Sequence, residues 1–268
     1  MQVRRPSLHV ERVGCGEGVL PCITGPHPTG AQSPGPNLSG QTTRGRGAGR
    51  PRLAAVSGNA LAEGCWIDAA PLPLPYPAVD LLVFADGTMW LAGPEVAVRP
   101  GPLPPGGLVG VRLRPGACLS LGIAADEVPL HGMAFGQVAA GSPHDRLQQA
   151  LDFLGRVSVR DNDFAVDRAV RMLDADPAAR IDDLAAAVGL SERQLRRRFS
   201  VAVGLRPKAY GRVVRLHTAL RLAGSASWAD IAHQSGFYDQ PHMIAEFRAA
   251  TGLAPAALHG RFLQSPAG

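Results

Sequence analysis

The period of apolar positions changes twice along the chain. From residue 24 to 52, Gly, Pro, Ser, Thr and Arg dominate and apolar residues recur with no fixed spacing. Such a stretch cannot bury enough surface to offset its ordering entropy, so residues 1–57 are expected to form a disordered, basic, Gly/Pro-rich tail. Two readings of it stay open: an arm that touches phosphates, or translation of sequence upstream of the true start. Between 58 and 150, short apolar runs alternate with Pro and Gly clusters. The runs 79–84 and 88–91 flank Ala85-Asp86-Gly87, which predicts a β-hairpin. Further strands are expected at 96–99, 108–113 and 117–121, set apart by clusters such as Pro71-Leu72-Pro73-Leu74-Pro75 and Pro104-Pro105-Gly106-Gly107. This part reads as a small β-rich domain, a partial barrel or a sandwich. From Leu147 onward the period is helical, with a short link at 155–159. A helix is expected over 164–175, bearing Phe164, Ala165, Ala169, Met172 and Leu173 on its apolar face. Pro177 breaks the pattern, and Asp182 and Asp183 place acid at the positive end of the next helix.

The helical part repeats itself. One copy contains Leu184-Ala185, Gly189, Leu195, Phe199 and Gly204-Leu205-Arg206-Pro207. The other contains Ile231-Ala232, Gly236, Met243, Phe247 and Gly252-Leu253-Ala254-Pro255. The offset is 47 residues up to the glycine and 48 after it, so the second turn holds one residue more. Each copy reads as helix, glycine turn, helix. In the first, Ile181, Leu184, Ala185 and Val188 form an inward stripe, and Ser191 is placed to cap the next helix. Leu195 and Phe199 then face inward at i and i+4, leaving Arg193, Gln194, Arg196, Arg197 and Arg198 outward. In the second copy Phe237, Met243 and Phe247 supply the core and Asp239 the cap. Gln240, Pro241, His242, Ile244 and Ala245 form its outward face, with Arg248 as the nearby base. Residues 207–223 read as a longer joining helix, with Arg212, Arg215 and Arg221 largely opposite its apolar side.

Charge sharpens this picture. Residues 1–60 carry a net +5, residues 61–150 a net −4 and residues 151–268 a net +4. Between 180 and 222 there are ten basic and three acidic residues, the densest positive region of the chain. Four arginines within 193–198 repel one another, a cost that a polyanion relieves. An isolated charge run is ordinarily a solvated surface. One that follows a Leu-Ala-x-x-x-Gly-Leu-Ser turn is placed to enter a DNA groove, where arginine pairs with guanine O6 and N7. The candidate DNA-binding residues are therefore Ser191, Arg193, Gln194, Arg196, Arg197 and Arg198, then Arg212 and Arg215 on the joining helix, and Gln240, His242 and Arg248 on the second outward face. The expected fold class is α+β in two domains, β-rich over 58–150 and all-α over 158–264.

The spacing Ile181-x-x-Leu184-Ala185, Gly189-Leu190-Ser191, Leu195-x-Arg197-x-Phe199, Gly204-x-x-Pro207 and Tyr210 continues through Arg215-x-x-x-Ala219, Trp228-x-x-Ile231-Ala232, Gly236-Phe237, Asp239-Gln240, Phe247 and Gly252-x-x-Pro255. Over roughly 160–262 it resembles the DNA-binding domain of the AraC/XylS family of bacterial transcription regulators. The resemblance implies a seven-helix module with two helix-turn-helix units bridged by a long helix, homeodomain-like in each unit. It puts base-reading positions at Arg193, Arg196 and Arg197, and in the second unit at Pro241 and Ala245, with Gln240 and His242 beside them. Pro241 and Ala245 stand where the family carries a polar residue and an arginine, so the second unit is expected chiefly to position. The segment 75–135 is similar to a region preceding this module in some regulators from high-GC bacteria, shown by Asp80-Leu81-Leu82-Val83, Asp86-Gly87 and 110–117. By analogy it would sense a small molecule or mediate dimerisation. The implied function is sequence-specific transcription control, more often activation, in the cytoplasm. Double-stranded DNA is the partner, RNA polymerase and a small-molecule effector are further ones, and the chain is a monomer or a homodimer.

Other functional classes need chemistry of their own. Cys15, Cys22, Cys65 and Cys118 form no CxxC pair and have no His at zinc spacing, so they read as free thiols. An alkyl-transfer repair enzyme would need one of them as nucleophile. Cys22 follows Pro21 as in such enzymes, but Ile23-Thr24 stands where a His-Arg pair belongs. A non-specific architectural protein would instead bind every duplex alike. His131, His144, Asp126, Glu127 and Asp145 have no metal-ligand spacing, and Trp66, Tyr76, Phe84, Trp90 and Phe135 read as core. No enzyme activity, cofactor or metal is expected. No run of 18 apolar residues and no signal peptide are evident.

Overall fold

The computed structural model describes residues 54–56, 58–67, 74–98, 107–129, 132–159 and 163–264 of the 268-residue chain. The expected tail therefore falls outside the described residues up to 53, as does His131. Its last part differs from expectation. Ala54 and Ala55 form strand β1 and pair with Cys65 and Gly64, while Val56 is buried in the core beside them.

Among the described residues six strands make one antiparallel sheet: β1 (Ala54–Ala55), β2 (Ala62–Ile67), β3 (Asp80–Val83), β4 (Thr88–Ala92), β5 (Val109–Leu113) and β6 (Met133–Gln137). Their order is β1-β2-β5-β3-β4-β6, an open sheet instead of a barrel or sandwich. The hairpin forms as the Asp-Gly turn predicts, with Leu81 opposite Leu91 and Val83 opposite Met89. The period of two sends Leu81, Val83, Met89, Leu91, Val109 and Val111 to one face. Helix α2 (Pro143–Arg156) covers that face with Leu147, Ala150, Leu151 and Leu154, the i, i+3, i+4, i+7 stripe. It starts at Ser142, whose hydroxyl accepts from the Asp145 amide at 3.2 Å, and it runs through the expected boundary at 150. On the opposite face Trp66 lies across Gly110, where a Cβ would stand 2.0 Å from the ring.

Two expected strands are absent from the described residues. Residues 117–121 begin a short helix, α1 (Ala117–Ser120), because Gly116 turns left-handed at φ 80° and breaks the extended path. Residues 96–98 pair with no strand; the Val98 amide donates to the Ala250 carbonyl in the C-terminal region instead.

Among the described residues seven helices follow: α3 (Phe164–Ala175), α4 (Ile181–Ala187), α5 (Glu192–Val203), α6 (Pro207–Leu222), α7 (Trp228–Gln234), α8 (Gln240–Thr251) and α9 (Pro255–Gln264). They enclose two cores. The first joins Val166, Ala169, Leu173, Leu184, Leu195, Phe199 and Tyr210. The second joins Leu216, Ala219, Ile231, Phe237, Met243, Phe247 and Leu258. Helix α6 serves both, its Tyr210 in one and its Leu216 and Ala219 in the other. The chain is thus a two-domain α+β protein, β-rich first and helical second. Among the described residues no helix is long and apolar enough to cross a membrane.

Candidate nucleic-acid interface

Helices α4 and α5 are joined at Gly189, φ +67°, and α7 and α8 through Gly236, φ +80°. In both turns the residue after the glycine donates its amide back to the buried alanine of the preceding helix: Leu190 to Ala185 at 3.0 Å and Phe237 to Ala232 at 2.9 Å. The shared bond is the local reason that the repeated sequence gives a repeated shape. Each second helix is then capped by the residue its sequence supplies. The Ser191 hydroxyl accepts from the Gln194 amide at 3.3 Å, and the Gln194 side-chain oxygen accepts from the Ser191 amide at 3.0 Å. The Asp239 carboxylate accepts from the His242 amide at 2.7 Å.

The arginines of α5 separate into distinct environments. Arg193 and Arg197 are exposed and make no ion pair among the described residues. Arg196 is also exposed and reaches Glu192 one turn back at 2.5 Å. Arg198 instead grips Asp163 with two hydrogen bonds, at 2.5 and 2.6 Å. Asp163 also caps α3, accepting from the Ala165 and Val166 amides at 3.2 Å, so this arginine ties α5 to α3. Gln194 is likewise committed to the cap. Among the described residues, every ion pair made by α5 stays within the helical domain and none reaches the acidic residues of 61–150.

The joining helix holds the second unit. Arg212 forms an ion pair with Glu246 on α8. Arg215 lies 5.4 Å from the centroid of the Phe237 ring, and burial lowers its pKa. Both residues were candidates for DNA contact by sequence, and both are partly buried. On α8, Pro241, Ala245 and Arg248 are exposed, while Gln240 and His242 are half-buried. The His242 Nδ1 accepts from the Tyr238 amide at 3.3 Å. Tyr238, which the outward-face reading passed over, is 83% exposed at the mouth of this turn. A signal for it existed: two adjacent aromatics, Phe237-Tyr238, precede a helix with room in its core for one.

Both thiols among the described residues, Cys65 and Cys118, are buried. Burial pushes the Cys118 thiol up to about 12 and raises that of Cys65, so both stay protonated near neutrality. Cys15 and Cys22 lie outside the described residues. In the native protein at pH 8, Cys65 and Cys118 are expected to resist a charged alkylating reagent and to react fully once unfolded, read by mass spectrometry of the labelled peptides. Rapid labelling of either in the native state contradicts the burial.

Comparison with known proteins bears on the helical domain. Residues 184–261 match the family model described as "Helix-turn-helix domain". No curated protein matches the chain. Among solved structures, a transcriptional regulator of the AraC-type DNA-binding domain-containing proteins from Chromobacterium violaceum is 29% identical, over 38% of this chain and 95% of that one, with a TM-score of 0.36. A probable AraC family transcriptional regulator from Rhodopseudomonas palustris CGA009 is 26% identical, over 36% and 95%, with a TM-score of 0.33. ToxT from Vibrio cholerae O395, bound to (E)-4-(8-methylnaphthalen-1-yl)but-3-enoic acid, spans more of the chain, 74% against 94% of its own, at 12% identity and a TM-score of 0.45. The match to the helix-turn-helix family coincides with the two capped units and their glycine turns: residues 184–261 of this chain form a helix-turn-helix domain built of two such units.

Proposed function

We propose that the protein is a sequence-specific transcription regulator whose α5 reads base edges in the major groove. The observation that carries this reading is the division of labour among its arginines. Arg193, Arg196 and Arg197 project into solvent, whereas Arg198 is spent on Asp163. The Arg196–Glu192 pair is half-exposed and worth about 0–1 kcal/mol, so a phosphate or a guanine displaces it readily. Ser191 and Gln194 shape the helix start, and the free amides there favour a phosphate. Arg212 acts by holding α8 against α6, and Arg215 by packing on Phe237 in the turn before α8. On α8, Gln240, His242 and Arg248, with Tyr238, are assigned chiefly to phosphate and sugar contacts that set register, with secondary base contacts that give the operator a second, weaker half-site. The β-rich domain is assigned to sensing a small molecule or pairing with a second copy. Activation through RNA polymerase is the expected direction.

Selection of bound fragments from random duplex DNA tests this. The full chain is expected to enrich one motif and to bind it at least about 10³-fold more tightly than scrambled sequence at physiological salt. Equal affinity for all duplexes, with a steep salt dependence alone, identifies an architectural protein and rejects the regulator.

A further inference from the structure

The two recognition helices end alike, and the N-terminal domain holds both ends. Beyond the turn the repeat offset is 48 residues, which makes Ala202 on α5 the equivalent of Ala250 on α8. Each carbonyl lies in the last turn of its helix, where the helix itself provides no partner. The Ala202 carbonyl accepts from the Gly116 amide at 2.9 Å, in the turn between β5 and α1. The Ala250 carbonyl accepts from the Val98 amide at 2.7 Å, in the connection between β4 and β5. Equivalent atoms of the two reading units are thus satisfied by two backbone donors of one other domain.

The surrounding contacts reinforce both points. Around the first, a Cβ on Gly204 would stand 2.7 Å from Pro94 and 2.8 Å from the Ala125 carbonyl. Its equivalent Gly252 has the same left-handed backbone, φ +74° against +83°, but nothing within 4 Å. Near the second, Leu74 is 6% exposed inside the core of the second unit. The next carbonyl, of Pro75, accepts from His217 Nε2 on α6 at 2.7 Å. The Glu95 amide donates to the Tyr76 carbonyl at 2.9 Å, which fastens this strap to the β4–β5 connection. Tyr76 in turn sits edge-on to His217 and against Arg112, whose guanidinium is paired with Asp80 on β3. The N-terminal domain therefore touches the first unit, the joining helix and the second unit at once.

We propose that the N-terminal domain is a brace that fixes the separation of α5 and α8, and so selects the spacing between the two half-sites of the operator. The inference rests on the DNA-reading function proposed above. Without the brace the two units are joined through α6 and its packing alone. One extra base pair between half-sites shifts the second by roughly 3.4 Å and turns it by about 34° around the duplex. A hinged pair of units follows that displacement at small cost, and a pair pinned at both helix ends does not.

The test uses the full chain and duplexes carrying the selected half-sites, with the spacer shortened or lengthened by one base pair. Val98→Pro deletes one donor, with Val98→Ala as the variant that keeps it. Gly204→Ala drives a methyl into Pro94 and the Ala125 carbonyl, with Gly252→Ala matching the backbone strain alone. Wild type, Val98→Ala and Gly252→Ala are expected to favour one spacing by about tenfold or more, and Val98→Pro and Gly204→Ala by less than about threefold. Amide exchange in the DNA-free protein is read alongside, with Val98 and Gly116 protected in wild type. Spacing preference undiminished in both brace variants overturns the proposal, as does free exchange of both amides in folded wild type, which needs no variant to fold. Failure of wild type to prefer any duplex, with the amides protected, rejects the DNA-reading function and leaves the interdomain contact standing.

Discussion

Phe199→Ala is expected to lower the stability of the helical domain by about 3–5 kcal/mol, the largest loss from any single truncation on the reading helix. Phe199 is fully buried, 0% exposed, and meets Tyr210 edge-on at 5.6 Å between ring centroids. It closes the core on which α3, α4 and α6 all rest, and Tyr210 carries the effect onward by donating to Asp174 at 2.8 Å. A cavity there removes packing that α5 cannot recover by shifting, because Arg198 and the Ala202 carbonyl pin it at two further points. Given total stabilities of about 5–15 kcal/mol, specific DNA binding is expected to fail together with the fold. Phe199→Leu, which keeps most of the volume, should cost under about 1.5 kcal/mol. Urea unfolding followed by circular dichroism measures both; equal, small shifts contradict the assigned core.

Arg197→Ala is expected to weaken binding to the selected duplex by about 1–3 kcal/mol and to relax base choice at one position. Stability should stay within about 0.5 kcal/mol, since the side chain is exposed and without an ion pair among the described residues. Arg193→Ala is expected to behave likewise at a neighbouring base. Arg198→Ala should do the reverse. It strips Asp163 of its partner, costs stability of the order of 1 kcal/mol, and lowers specific and nonspecific affinity by similar factors. Titration of each variant against selected and scrambled duplexes separates the two patterns. Equal losses on both duplexes for Arg197→Ala remove it from base reading.

The helical domain was legible because each level of its sequence agrees with the next. Apolar spacing of three and four, a glycine at each turn and Ser191 or Asp239 at each cap all point to one local structure, and the repeat states it twice. The 80–92 hairpin was legible for the same reason, its Asp86-Gly87 turn fitting the alternation on either side. Residues 117–120 were not, since a short apolar run (Ala117-Cys118-Leu119) suits a strand or a helix and only the left-handed Gly116 decides it. The separate roles of the arginines were hidden by distance along the chain. Arg198 finds Asp163 35 residues away, and Arg212 finds Glu246 34 residues away, so charge alone could not tell a reading residue from a tie. The two contacts at the helix ends left no trace in the sequence, because they are made by backbone carbonyls, which every residue carries, and by backbone amides, which every residue but proline carries.

Methylation interference with dimethyl sulfate bears most directly on the central claim, since one reagent marks guanine N7 in the major groove and adenine N3 in the minor. On the selected duplex, guanine methylation within one half-site is expected to block binding, and Arg197→Ala to abolish interference at a single guanine. Interference confined to adenine N3, with every N7 methylation tolerated, would contradict an arginine helix seated in the major groove.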